Sequence, residues 1–254
     1  MGRIVALVNQ KGGVGKTTVT LGLAAAAQAA GNRVLLVDLD PQSSTSWVLG
    51  VDPSSIKEST SELLSGKSEP VVYESAWGAE VDLLPASQRL QQQESGQGRR
   101  PESRLRSAIE SLAADYDAVL IDCPPSLGNL TLNALTAAQH AIIVVEPSAL
   151  GLRGITAVAD LIDEVWDASN PDLDLAGVII NKLPAVSAEA DRRIEELART
   201  VGKKAVWQPS VPQRVIVNQA IAERRPIHSY GYRSQDVSEA FDALWVKLRK
   251  RLRD

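Results

Sequence analysis

Eight consecutive residues, Lys11-Gly-Gly-Val-Gly-Lys-Thr-Thr18, leave this chain few folds to choose from. A short apolar, β-rich run at residues 3–9 (RIVALVN) leads into them, and an Ala/Leu-rich segment leads out as far as Ala30, where Gly31 supplies a stop. Strand, glycine-rich turn and helix in that order bring backbone amides and a helix N-terminus together on one anion. Gly12, Gly13 and Gly15 around Val14 let the backbone approach that anion closely, because no Cβ intervenes and positive φ is open to them. Lys16 is then placed to contact the β- and γ-phosphates of a nucleotide. The Thr17 hydroxyl is placed to bind Mg²⁺, and Thr18 to hydrogen-bond the α-phosphate.

A second buried-strand pattern at residues 33–38 (RVLLVD) completes a βαβ unit in about 35 residues, which calls for a parallel sheet with right-handed crossovers. Further apolar runs at 117–122, 141–146 and 176–181 alternate with helical patterns at 103–114, 130–139, 152–168, 187–200, 213–224 and 236–252. Near-continuous Val/Ile/Leu strands of this kind are buried on both faces. The expected fold is therefore α/β, a three-layer P-loop NTPase arrangement with a mostly parallel sheet flanked by helices. Residues 50–97 are less regular: 81–85 (VDLLP) is strand-like, and QQQESGQG at 91–98 is expected to be a surface loop. A β-like or irregular piece is expected at 204–212. No internal repeat or linker divides the 254 residues, so one domain spanning 1–254 is expected, with helix 236–252 packed on it.

Two further strands end in acid. Asp38 and Asp40 close the second strand in VDLDPQSS, and Asp122 closes DAVLID. Ligands of open parallel sheets sit beyond the carboxyl ends of the strands, so these groups converge on the glycine-rich loop. An apolar strand ending in Asp is by itself common; following such a loop it matches the acid that holds Mg²⁺, which assigns Asp38 and Asp122 with Thr17 to the metal. Asp40-Pro41 is also an ordinary turn opener.

The extra lysine at the start of the loop, Lys11, together with DLDPQSS, LIDCPPSLGNLTLNAL, IINKL and VPQR in that order, resembles the deviant Walker A ATPases of the ParA/MinD superfamily, a SIMIBI-class group of P-loop NTPases, and within it the ParA branch. The resemblance covers most of the chain. It implies ATP and Mg²⁺ as ligands, and a homodimer formed on ATP binding in which Lys11 reaches the nucleotide of the other subunit. It also implies catalysis by Lys11, Lys16 and Asp40, the last orienting the attacking water. Asn181 would contact the adenine, and the segment containing Pro212 would flank it. The iron-protein relatives need cysteine ligands for a shared cluster, and this chain has a single cysteine, Cys123.

The net charge of -4 alone argues against nucleic acid, but the distribution does not. From residue 199 onward there are 12 Lys/Arg against 5 Asp/Glu, whereas the preceding residues carry 15 against 26. Such asymmetry marks either a solvated basic face or an interaction surface. The resemblance implies non-specific DNA binding here, with Lys203, Lys204, Arg224, Arg225, Arg233, Lys247, Arg249, Lys250 and Arg251 as candidates; the VNQAIAERRP that follows VPQR departs from the SEAP-like stretch common in the family. It further implies a ParB-like or cargo-adaptor partner that stimulates hydrolysis, with the protein cytoplasmic and associated with the nucleoid. Val237, Phe241, Leu244, Trp245, Leu248 and Leu252 recur at helical spacing, which suits a core-packed helix, a membrane-surface helix or a partner-binding helix. The first is expected, with the membrane-associated MinD-like regulator as the alternative. His140 and His228 lack metal-spaced partners and are expected to be structural.

Overall fold

The computed structural model describes residues 3–95 and 102–253. Its framework is a seven-stranded sheet of β1 (Arg3–Val8), β2 (Val34–Asp38), β3 (Tyr73–Glu74), β4 (Val81–Leu84), β5 (Ala118–Asp122), β6 (His140–Val145) and β7 (Asp174–Ile180). They lie in the order β3-β4-β2-β5-β1-β6-β7, and every neighbouring pair is parallel except β3 with β4. This is the mostly parallel, helix-covered sheet expected. Its interior strands alternate between two apolar cores: Ile4, Ala6 and Val8 of β1 face one, Val5 and Leu7 the other.

The helices are α1 (Lys16–Ala29), α2 (Ser44–Val48), α3 (Thr60–Ser65), α4 (Leu90–Ser95), α5 (Glu102–Glu110), α6 (Asn129–Ala137), α7 (Ala149–Ala168), α8 (Ala188–Val201), α9 (Val215–Ala222) and α10 (Gln235–Arg253), with 3₁₀ turns at Leu112–Asp115 and Ile227–Ser234. Side chains from α3 to α8 fill the first core, and those of α1, α9 and α10 the second. In α10 the apolar stripe Val237, Phe241, Leu244, Trp245, Leu248 and Leu252 is buried, as the core-helix expectation required. It lies against α1, where Gly22 leaves room for the Phe241 ring. Trp245 completes the contact by donating from Nε1 to Asn32 Oδ1 at 3.1 Å. No described helix is long and apolar enough to cross a membrane.

The polar run at 91–98 corrects the sequence expectation. Residues 91–95 belong to α4, not a loop, and 96–98 lie outside the described residues. Tertiary contacts outweigh the polar composition: Leu90 is fully buried, Gln93 exchanges hydrogen bonds with Ser61, and Glu94 accepts from Leu130 N (3.0 Å) at the start of α6. Three short elements of the irregular region, α3, α4 and β3, together with α2 just before it, have no periodic signal of their own. In α3 a capping box does the work, with Ser59 accepting from Ser61 N and Glu62 receiving the Ser59 N–H.

Candidate nucleotide site

β1 delivers Asn9, 1% exposed, to the mouth of the glycine-rich loop. Its Nδ2 donates to Val144 O (2.6 Å) on β6, its Oδ1 accepts from Lys11 N (2.8 Å), and its carbonyl accepts from Lys16 Nζ (3.2 Å). One buried amide thus ties the loop to two strands. Gly13 (φ 79°) and Gly15 (φ 91°) take the left-handed conformations that turn the chain into α1. The far side of the loop is held from the segment after β7. Asn181 Nδ2 donates to Val14 O at 2.9 Å, and Lys182 Nζ to Gly13 O at 2.5 Å. A Cβ on Gly15 would stand 2.1 Å from Asn181 Nδ2, so glycine here is a matter of space as well as of φ.

Lys16 is 6% exposed, and burial lowers its pKa while Asp122, Cys123 and Asp40 oppose the shift. β2 and β5 are neighbours in register, which sets Asp38 opposite Asp122. Both carboxyls are fully buried and pushed above the usual range, chiefly by desolvation and, for Asp38, by the charge of Asp122. Asp122 Oδ2 accepts from Thr17 Oγ1 and Thr45 Oγ1, each at 2.7 Å, while its Oδ1 is buried with no partner. Asp38 Oδ2 accepts from Ser46 N (2.8 Å) and Ser46 Oγ (2.7 Å), and its Oδ1 from Asp40 N (3.1 Å). Two adjoining buried acids, a threonine hydroxyl from the loop and an orphaned carboxylate oxygen form an all-oxygen donor set. That set fits a hard divalent cation such as Mg²⁺.

Asp40 sits at the partly open rim, where its Oδ1 accepts from Gln42 N (2.9 Å). Within the single chain Lys11 forms an ion pair with Glu146 and approaches Ser148 Oγ (3.4 Å). Thr18, Asn181 and Pro212 line a common cavity of about 130 Å³ together with Gln213, Val217 and Asn218, beside the loop. Thr45, Ser46, Asn9, Lys182 and Glu146 escaped the sequence reading. Thr45 and Ser46 lie just past the DPQ segment, in a run of four hydroxyl residues from Ser43 to Ser46, and that run after an Asp-Pro turn is the available signal.

The basic candidates separate into groups. Arg224 stacks on Trp47 with its guanidinium carbon 4.1 Å from the ring centre; Arg225 and Arg233 flank Tyr230 at 5.1 and 5.9 Å. Lys204, Lys247, Lys250 and Arg251 line a different cleft, of which Lys203 and Arg249 are not part. Of the two histidines, His228 Nε2 lies 2.9 Å from Asp242 Oδ1, and His140 is buried at the start of β6.

A phosphate loop between strand and helix, two strand-end acids and a parallel sheet around them define a P-loop nucleotide triphosphatase. Residues 2–175 match a family model described as an AAA domain. The chain is 37% identical over 260 residues to the chromosome partitioning protein ParA of Myxococcus xanthus, covering 99% of this chain and 89% of that one. It is 34% identical over 258 residues to the sporulation initiation inhibitor protein Soj of Bacillus subtilis, covering 95% and 96%. Among solved structures it is similar to a cobyrinic acid a,c-diamide synthase from Mycobacterium smegmatis with bound ADP and magnesium, with a TM-score of 0.83, 33% identity, and 99% and 97% of the two chains covered. The chain belongs to the ParA/Soj family of P-loop ATPases.

Proposed function

We propose that this protein is an ATP-driven switch that dimerises around nucleotide, holds DNA without regard to sequence and lets go when a partner stimulates hydrolysis. In this way it would segregate a chromosome or plasmid, or position another cargo along the nucleoid. The observation that carries the reading is the placement of α2. Its Thr45 and Ser46 grip the two strand-end acids, and the next residue, Trp47, lies under the Arg224 guanidinium. A change at the phosphates therefore has a two-residue path to the basic surface around Arg224, Arg225 and Arg233.

In the proposed cycle Lys16 and the amides of residues 12–17 neutralise the triphosphate, and Thr18, Asn181 and Pro212 border the base end. Magnesium, when bound between Thr17, Asp38 and Asp122, supplies charge compensation to the phosphates. Asp40, at the rim, orients the attacking water for in-line displacement. Lys11 leaves Glu146 and is lent to the nucleotide of the second subunit, so its charge reaches the phosphates only when two chains meet. ATP drives this association only by binding the dimer more tightly than the separated chains. Two DNA-binding surfaces joined in one dimer then gain by avidity.

Sedimentation with ATP, with ADP and with the Asp40→Ala variant tests the dimer: ATP with the variant is expected to give a dimer and ADP a monomer. Gel shifts of duplex DNA test the switch, with binding expected for ATP and lost for ADP and for Lys16→Ala. Equal DNA binding in all three states would reject nucleotide gating.

The likeness to a cobyrinic acid a,c-diamide synthase supports a second reading, an ATP-dependent amidoligase. Hydrolysis that rises with ammonia and a polycarboxylate, and not with DNA, would favour it. A MinD-like membrane role has less support, since the apolar stripe of α10 faces the core and its basic residues face outward.

A further inference from the structure

Of the glycines in the phosphate loop, Gly13 is the one that packing does not hold. A Cβ there would meet nothing within 4 Å, and its φ of 79° is left-handed. Its neighbours differ: the Val14 side chain is fully buried in the core, and Gly15 sits against Asn181. Gly13 nevertheless has a polar partner 169 residues away, because Lys182 Nζ donates to its carbonyl at 2.5 Å.

Lys182 reaches the loop from a strained backbone. Its φ of 56° makes it one of three non-glycine residues with positive φ among those described. Such a conformation is unfavourable for a lysine by itself and persists only where the surroundings impose it. Here both flanks are pinned: Asn181 N donates to Val145 O (2.7 Å) and Leu183 N to Val211 O (2.9 Å). The residue between them cannot relax, and its side chain spans to the loop.

The consequence lies in the peptide dipole. A phosphate on the loop is held by N–H groups. The Gly13 carbonyl shares a peptide unit with the Val14 N–H, and the Val14 carbonyl shares one with the Gly15 N–H. Lys182 and Asn181 donate to these two consecutive carbonyls, at 2.5 and 2.9 Å. A donor on the oxygen fixes the peptide plane, leaves the N–H pointing the opposite way and polarises it. From Lys182 the donor is a full cation, so the bond is charge-assisted. No part of this arrangement involves the base.

We propose that Lys182 is a positioning residue for nucleotide binding: through the peptide joining Gly13 to Val14 it orients and polarises an amide of the phosphate loop, and so strengthens the grip on the phosphates whatever base is attached. The proposal rests on nucleotide binding at the P-loop, and not on dimerisation or DNA. A chain that binds ADP but shows no ATP-gated DNA shift sinks the switch alone.

Affinities for ADP and for inorganic tripolyphosphate, both read by displacement of a fluorescent ADP analogue, test it. Lys182→Met is expected to weaken the two ligands by the same factor, at least fivefold. Lys182→Arg, which keeps a cationic donor, is expected to restore both to within twofold of the native chain. Lys182→Gly separates positioning from folding, since glycine accepts the left-handed backbone without strain. Its melting temperature is expected to hold or rise while both affinities fall as in Lys182→Met. Affinities within twofold of native in Lys182→Met and Lys182→Gly overturn the proposal. So does a loss for ADP with tripolyphosphate unchanged, which would make Lys182 a contact to the nucleoside.

Discussion

Gly13 and Gly15 show how unlike two glycines of one loop are. Both have positive φ, yet a Cβ on Gly13 meets nothing within 4 Å, while one on Gly15 collides with Asn181. Gly13→Ala should cost only backbone strain, about 1–2 kcal/mol. Gly15→Ala adds displacement of the Asn181 amide that holds Val14, so nucleotide affinity is expected to fall at least tenfold further; ADP titration of both variants measures the difference. His140 makes a second residue-scale prediction. It is 8% exposed, neither ring nitrogen has a hydrogen-bond partner although Nδ1 lies 3.8 Å from Asp174 Oδ2, and burial lowers its pKa against the pull of Asp174, with Arg251 and Arg3 adding to the decrease. The folded chain therefore binds this proton less readily than the unfolded one. The stability tied to neutral His140 is present above the ordinary histidine value near 6.5 and is lost as pH falls below it, with a slope of at most about 1.4 kcal/mol per pH unit. Urea denaturation at a series of pH values should show that acid decline in the native chain and a flatter curve in His140→Leu.

At the level of elements, the pairing of α1 with α10 joins the phosphate loop to the basic C-terminal region. α1 begins at Lys16, and Gly22, less than two turns later, receives Phe241. Alanine is intrinsically better in a helix than glycine by about 1 kcal/mol. Here that gain is overruled, because a Cβ on Gly22 would stand 2.2 Å from the buried Phe241 ring. Gly22→Ala is expected to destabilise the protein by about 1–3 kcal/mol, the cost of overpacking a closed core. Gly22→Ala combined with Phe241→Leu should recover part of the loss, a coupling that a double-mutant cycle in urea reads directly. The helix α4 makes a related point about scale. Its polar residues are spent on neighbours, with Glu94 at the start of α6 and Gln93 on Ser61.

For the whole molecule the central matter is how the nucleotide end of the sheet communicates with the basic surface. Trp47 is 38% exposed and carries the Arg224 guanidinium; Trp77 Nε1 donates to Arg224 O at 3.0 Å, fixing a residue whose φ of 55° is strained for a side chain of its size. Arg224 is thus held from both sides, by α2 next to the strand-end acids and by the segment before β4. Trp47→Ala is expected to leave ATP affinity within about twofold and to make DNA affinity the same with ATP and with ADP. Fluorescence anisotropy of labelled duplex DNA checks this; gating that survives the substitution would place the coupling elsewhere.

Periodicity and loop chemistry were enough to reveal every strand but β3, the long helices, the loop at residues 11–18 and the acids at 38, 40 and 122, because each depends on local spacing or on backbone geometry that only glycine allows. Polar contacts between distant segments were not legible. Asn9 with Val144, Thr45 with Asp122, Asn181 with Val14 and Glu94 with Leu130 are 36 to 167 residues apart, and nothing local marks such pairs. The same holds for the basic residues: sequence located their excess after residue 199, but their division into a patch at Trp47 and Tyr230 and a cleft beside Trp207 was decided by how α9, α10 and β7 pack. Local spacing determines which elements form and where ligand chemistry is concentrated. Burial of those elements against one another determines which polar groups find partners and which charges are left facing an empty space.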